Sequence, residues 1–386
     1  MRREGHDRLR LMLIGLSVIS VALTIVFGSA RVRTWATPRL HRVFVASAAL
    51  GDAHASMVPQ QVLEGTPVTL YALVEALPRG GDDLVLYGPV DKIEIADGIT
   101  KPVLPWSQWW NSLEILWFKV EPTYPFGNEE FELDFSLEAV PYQETFMTTW
   151  GFATAHAADV TASGDAYPRW QVGTMRFSAR AVTRDHRDRI LDRTLPLFEQ
   201  VDASLLDSVH RVTVRAGSNP LGVLQGYAGI PYVPFPGWPP SIDHPASGYL
   251  AGTVLDFWIA SHRELGVAVP FVDPEAIDQV ADLIVSDMFL ARDGGYYYSE
   301  DPLEPVTFEI VAPGDLLVIE DHTGVLFEDR GPGGGGDGLL NRWDRALEAY
   351  FEPLRTTLLG DAFVADVAVY RLHQQPSAPG EDNGAR

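Results

Sequence analysis

The sequence predicts a multidomain chain: an N-terminal transmembrane helix, an all-β sandwich, and an α+β unit at the C-terminal end. Three observations carry this expectation. An uncharged apolar run extends from Leu11 to Phe27, period-two alternation fills the stretch between about Val58 and Val182, and a helix-spaced apolar set near Leu250 precedes short strand-like runs after Leu316. At roughly 150 residues per domain, 386 residues accommodate two folded units plus an anchor. The formal charge of −23 opposes phosphate backbones, which argues against a nucleic-acid partner. With no cysteine the chain has neither a disulfide framework nor a thiolate metal site, so stability must come from core burial.

Residues 1–30 are expected to form a basic cytoplasmic tip and a membrane anchor. Arg2, Arg3, Arg8 and Arg10 precede this almost wholly apolar stretch of 17 residues, a length at the lower bound for spanning and above the usual signal-peptide core. Gly28-Ser29-Ala30 leaves cleavage as an alternative, which would make the protein secreted. The flanking arginines nearly balance, so the export-signal layout sets the orientation: single-pass, with the bulk of the chain extracytoplasmic.

Residues 58–183 read as short antiparallel strands separated by Gly, Pro and Asp. The alternating runs are Gly65–Val74, Leu84–Tyr87, Glu114–Val120, Phe131–Leu137 and Thr174–Val182. Gly65-Thr66-Pro67-Val68-Thr69-Leu70 and the mid-strand Trp117 resemble an immunoglobulin-like (Ig-like) domain without paired cysteines. Trp106, Trp109 and Trp110 follow Pro105 and serve either as a ligand platform or as packing over the sandwich end. Residues 184–210 carry apolar positions on one helical face and are expected to be a linking helix, kinked or split at Pro196.

Residues 218–372 form the second unit, and 376–386 a polar, disordered tail. A helix is expected to open at Ser247, with Leu250, Val254, Phe257, Trp258 and Leu265 on one face and Gly266 as its stop. Gly333–Gly336 lies in a flexible loop that lacks the lysine and hydroxyl residue of a phosphate-binding loop, and no metal-ligand spacing occurs; no cofactor or metal is expected.

Four segments of this unit occur in a recognisable order: Ala228-Gly229-Ile230-Pro231-Tyr232, Ala246-Ser247-Gly248-Tyr249-Leu250, Pro313-Gly314-Asp315-Leu316, and His322-Thr323-Gly324-Val325. Together they resemble the NlpC-type cell-wall peptidases of the papain-like superfamily. The resemblance implies a papain-like α+β fold and a groove walled by Tyr232 and Tyr249, with Asp321 beside it. In that family a cysteine at a helix N-terminus is the nucleophile, because the dipole and free N–H groups there favour a thiolate. Alanine stands in its place here, Ala246, or Leu250 in an alternative register. His322 takes the general-base position, with Asn341, or less well Asp337, as the third residue. The resemblance thus implies a catalytically dead unit that binds cell-wall peptide or an envelope partner. Two other readings stay open: a residual amide hydrolase using Ser247 and His322, and a purely structural envelope module.

Overall fold

The computed structural model describes residues 38–78, 81–106, 112–122, 142–147, 155–163, 170–184, 190–193, 209–233, 244–300, 303–320, 322–349, 353–364 and 366–373. The architecture is predominantly β, with three sheets. No helix among the described residues is long and apolar enough to cross a membrane, and the expected span Leu11–Phe27 lies outside them. Phe131–Leu137, Trp109, Trp110 and the 376–386 tail lie outside as well.

Two sheets form the N-terminal unit. In the first, of eight strands, Arg39–Ala49 runs antiparallel to Val68–Leu77 from Arg39↔Leu77 to Ala49↔Val68. In the second, of six strands, Ser112–Pro122 and His210–Arg215 flank the long strand Gly173–Arg184. Alternation decides which side chains meet. Leu70, Ala72 and Val74 of the first sheet join Ile115, Trp117, Phe177 and Val212 of the second in one core, while Leu73 packs on the opposite face with Leu86 and Ile93. Trp117 is fully buried at its centre, and Trp106 packs against its margin.

The Ig-like expectation needs correction at the level of topology. Antibody-type domains have seven to nine antiparallel strands. Here three pairings are parallel: Gln60–Leu63 on His210–Arg215, Ala55–Ser56 on Lys92–Ala96, and Val85–Gly88 on Leu104–Pro105. The linking-helix expectation is corrected at Ile190–Arg193, a strand paired with the end of Gly173–Arg184, while 185–189 and 194–208, with Pro196, lie outside the described residues. A long neighbouring strand offers an open edge there, and pairing to it overrides a helical spacing of apolar residues.

The papain-like α+β expectation is overturned by the C-terminal unit, which is built on a seven-stranded sheet. Its order is Tyr297–Ser299, Ala281–Leu290, Val367–Leu372, Leu316–Ile319, His322–Glu328, Arg345–Glu348, Arg355–Leu358, antiparallel throughout. Among the described residues only one helix here exceeds six residues, α2 at Val254–Glu264; α1 at Pro220–Gln225 and α3 at Leu359–Ala362 are short. Helix α2 starts at Val254 rather than Ser247. Thr253 Oγ1 accepts from Asp256 N (3.2 Å) while Asp256 Oδ2 accepts from Thr253 N (2.8 Å), a reciprocal cap that fixes the first turn. Residues 245–249 form a turn ahead of it.

Helix α2 covers one face of this sheet. Val254, Phe257 and Trp258 pack there on Leu316, Val325 and Leu347. The other face carries a smaller core of Leu317, Leu326, Ala346, Phe363 and Val369. Leu316 and Leu317, and Val325 and Leu326, go to opposite sides as strand geometry requires.

Candidate functional site

His322 begins its strand opposite Ile319. Alternation places His322, Gly324 and Leu326 on the Phe363 face, and Thr323 and Val325 on the helix face. The imidazole stacks on the Phe363 ring with centroids 5.1 Å apart. Gly324 is required for this approach, because an added Cβ would lie 2.5 Å from Phe363 Cζ. His322 Nε2 lies 2.9 Å from Oε2 of the buried Glu348, whose Oε1 accepts from Arg355 at 3.2 Å. Burial alone would raise the Glu348 carboxyl, but His322 and Arg355 outweigh it and hold it below the usual range.

The residues expected to share a vestigial site are not brought together. Ala246 is fully buried with Val254 and Trp258 on the helix face, across the sheet from the side chain of His322. Ser247 is exposed in the 245–249 turn. Leu250, the alternative register, is buried. Asn341 is fully buried but serves its own turn: Nδ2 donates to Leu339 O at 2.9 Å and Oδ1 accepts from Trp343 N at 2.9 Å. Asp337 accepts from Leu339 N in the same turn. Glu348 is the residue that meets His322. Asp321 lies outside the described residues.

Tyr232 is half-buried in a parallel bridge to Gly252. Tyr249 is buried and forms the clasp between the two units. Its ring stacks on Tyr227 at 4.3 Å, the Arg211 guanidinium lies 4.1 Å over it, and its hydroxyl donates to Glu264 Oε2 at 2.6 Å. Arg176 donates to its carbonyl. Gln61 of the sandwich donates to the other Glu264 oxygen at 2.6 Å. The backbones also touch, since Thr174 N donates to Ala228 O at 2.7 Å, and a Cβ at Gly173 would lie 2.7 Å from that same oxygen.

An open cleft of about 690 Å³ lies elsewhere on the C-terminal unit, between the end of α2, the start of α1 and the Pro313-Gly314-Asp315 turn. Leu221, Trp258, Leu265 and Val267 supply apolar wall. Arg371 grips Asp315 through two bonds, Nε to Oδ1 at 2.8 Å and Nη2 to Oδ2 at 2.7 Å. Trp258 Nε1 donates to Gly314 O at 2.8 Å, which ties helix to turn. Burial lowers the His262 imidazole to about 4, so it is neutral at pH 7 and able both to donate and to accept. Apolar walls with a few fixed polar groups are what a small-ligand or peptide side-chain site requires. Among the described residues no group of His, Asp and Glu is arranged to hold a metal ion.

No protein-family model, curated protein or solved structure matches the chain. The family resemblance therefore rests on its short motifs alone. Sequence reading missed Glu348, although it is the lone acidic residue in the otherwise apolar run Ala346–Ala349, a pattern that asks for a buried partner. It also missed the cleft, whose walls come from four segments far apart in the chain.

Proposed function

We propose that this protein is a non-hydrolytic binding component of the cell envelope, whose C-terminal cleft takes a peptide ligand. The observation that carries this reading is the cleft itself, where Leu221, Trp258 and Val267 face a polar set of His262, Asp315 and Arg371. The placement of Ala246 in the helix-face core, while the His322 imidazole stacks on Phe363 of the other face, supports the absence of hydrolysis at the position the family uses, because a nucleophile and its base must lie within hydrogen-bond reach. The arginines before Leu11 and the apolar run to Phe27 support an envelope location.

Titration of the full-length protein with muropeptides tests the reading. Binding is expected, no peptide is cleaved, and Leu221→Asp or Val267→Asp weakens binding by about tenfold or more through burial of an unpaired charge in the cleft. Turnover lost in Ser247→Ala would establish a hydrolase instead. Absence of muropeptide binding would leave the unit a structural module.

A further inference from the structure

We propose that the open edge of strand Arg355–Leu358, together with Arg330, Arg345 and Trp343, forms a second binding site, independent of the cleft, for an extended peptide ending in a free carboxylate. Arg355–Leu358 closes the seven-stranded sheet on one side, and among the described residues no strand pairs with its outer edge. The register fixes which backbone groups point outward. Leu359 N donates to Asp344 O, which makes 344↔359 a hydrogen-bonded pair, so the pairs Ala346↔Thr357 and Glu348↔Arg355 also bond inward. The N–H and C=O groups of Thr356 and Leu358 consequently face away from the sheet. Both residues line a pocket of about 420 Å³ whose other walls include Arg330, Trp343, Arg345 and Thr357.

Two features of this pocket name its ligand. A free strand edge offers alternating donors and acceptors, which an extended peptide satisfies by adding as a further strand. Two guanidinium groups beside that edge call for an anion. Arg330 makes no ion pair among the described residues, and Arg345 has only Glu328 at 3.6 Å, with both side chains well exposed. On a chain of formal charge −23, a pair of weakly neutralised arginines is a local reversal of sign that selects a negative group. A peptide with a terminal carboxylate supplies both partners at once, and Trp343 and Leu358 offer apolar contact for its last side chain.

The backbone permits a sharp test. Leu358 has φ −76° and ψ 136°, a conformation proline adopts without strain, and its N–H faces outward, so Leu358→Pro removes one edge donor without disturbing the sheet. Fluorescence polarisation with full-length protein and a labelled pentapeptide of β-branched residues reads the site. The free acid is expected to bind, and about tenfold or more of that affinity is lost on amidation of its C-terminus, in Arg330→Gln with Arg345→Gln, and in Leu358→Pro, each with an unchanged melting temperature. Leu221→Asp in the cleft leaves this binding intact, which keeps the two sites distinguishable. Equal binding of acid and amide, parental affinity in Leu358→Pro, or no binding at all would overturn the proposal. So would a concentration-dependent dimer abolished by Leu358→Pro, which would assign the edge to a second copy of the chain.

Discussion

His210 sits where the two sheets of the sandwich meet, with Nε2 2.7 Å from Ser47 Oγ and the residue buried. Burial lowers its imidazole from 6.5 to about 4. The folded state therefore refuses a proton that the unfolded chain accepts. Its contribution is intact above pH 6.5 and is lost as pH falls toward 4, amounting to about 3 kcal/mol at the low end. Asp344 works in the opposite sense. Burial raises its carboxyl to about 7, with Asp329 and Asp337 adding to the rise against the bonds from Arg330 N and Asn341 N. Its folded form holds a proton the unfolded chain releases, so it favours folding below pH 4 and that contribution fades as pH rises through 7. Because the two oppose each other, the prediction concerns a difference: His210→Gln loses less stability between pH 6.5 and 4 than the parent. Chemical denaturation across that range checks it; parallel pH profiles would show that His210 does not carry the shift.

At the scale of elements, helix α2 shows what the sequence displays and what it conceals. Its apolar face and the Gly266 stop were legible from spacing, and Gly266 has φ +86° as a helix stop requires. Its start was not legible, because the family resemblance drew it to Ser247 while the decisive pair is Thr253 with Asp256 three residues on. Thr253→Ala is expected to cost about 1 kcal/mol and Thr253→Ser to restore most of it, read from urea midpoints. An unchanged midpoint for the alanine variant would mean that packing of Trp258 and Phe257 alone sets the helix start. The sandwich strands were legible for a related reason, since the alternation of side-chain type in Val68–Leu77 and Thr174–Val182 has the period of a strand, although it did not show that Gly173–Arg184 is buried on both faces. Which face of the seven-stranded sheet His322 would take was not legible. A His-Thr-Gly-Val run reads the same whichever side its histidine points, and only the packing of Phe363 against Gly324 settles it. Parallel pairings such as Gln60–Leu63 with His210–Arg215 escaped for want of any local signal across some 150 residues.

For the whole molecule, the clasp around Tyr249 bridges the two cores, and the prediction is that it couples their unfolding. Tyr249→Ala removes the ring between Tyr227 and Arg211 and the hydroxyl bond to Glu264. Calorimetry is expected to show one transition for the parent and two for the variant, the sandwich and the C-terminal unit melting apart. A single transition in both would locate the coupling in the backbone contacts at Gly173 and Ala228 instead. The clasp also bears on how such a chain can change by recombination. By sequence the 245–249 turn belongs to the C-terminal unit, yet the guanidinium groups that hold Tyr249 at φ +57° belong to the sandwich strands Gly173–Arg184 and His210–Arg215. A transfer of residues 218–372 into another protein would carry the tyrosine without its arginines, and would leave behind a sandwich with two buried cations suddenly facing water. The two units are exchangeable only as a pair.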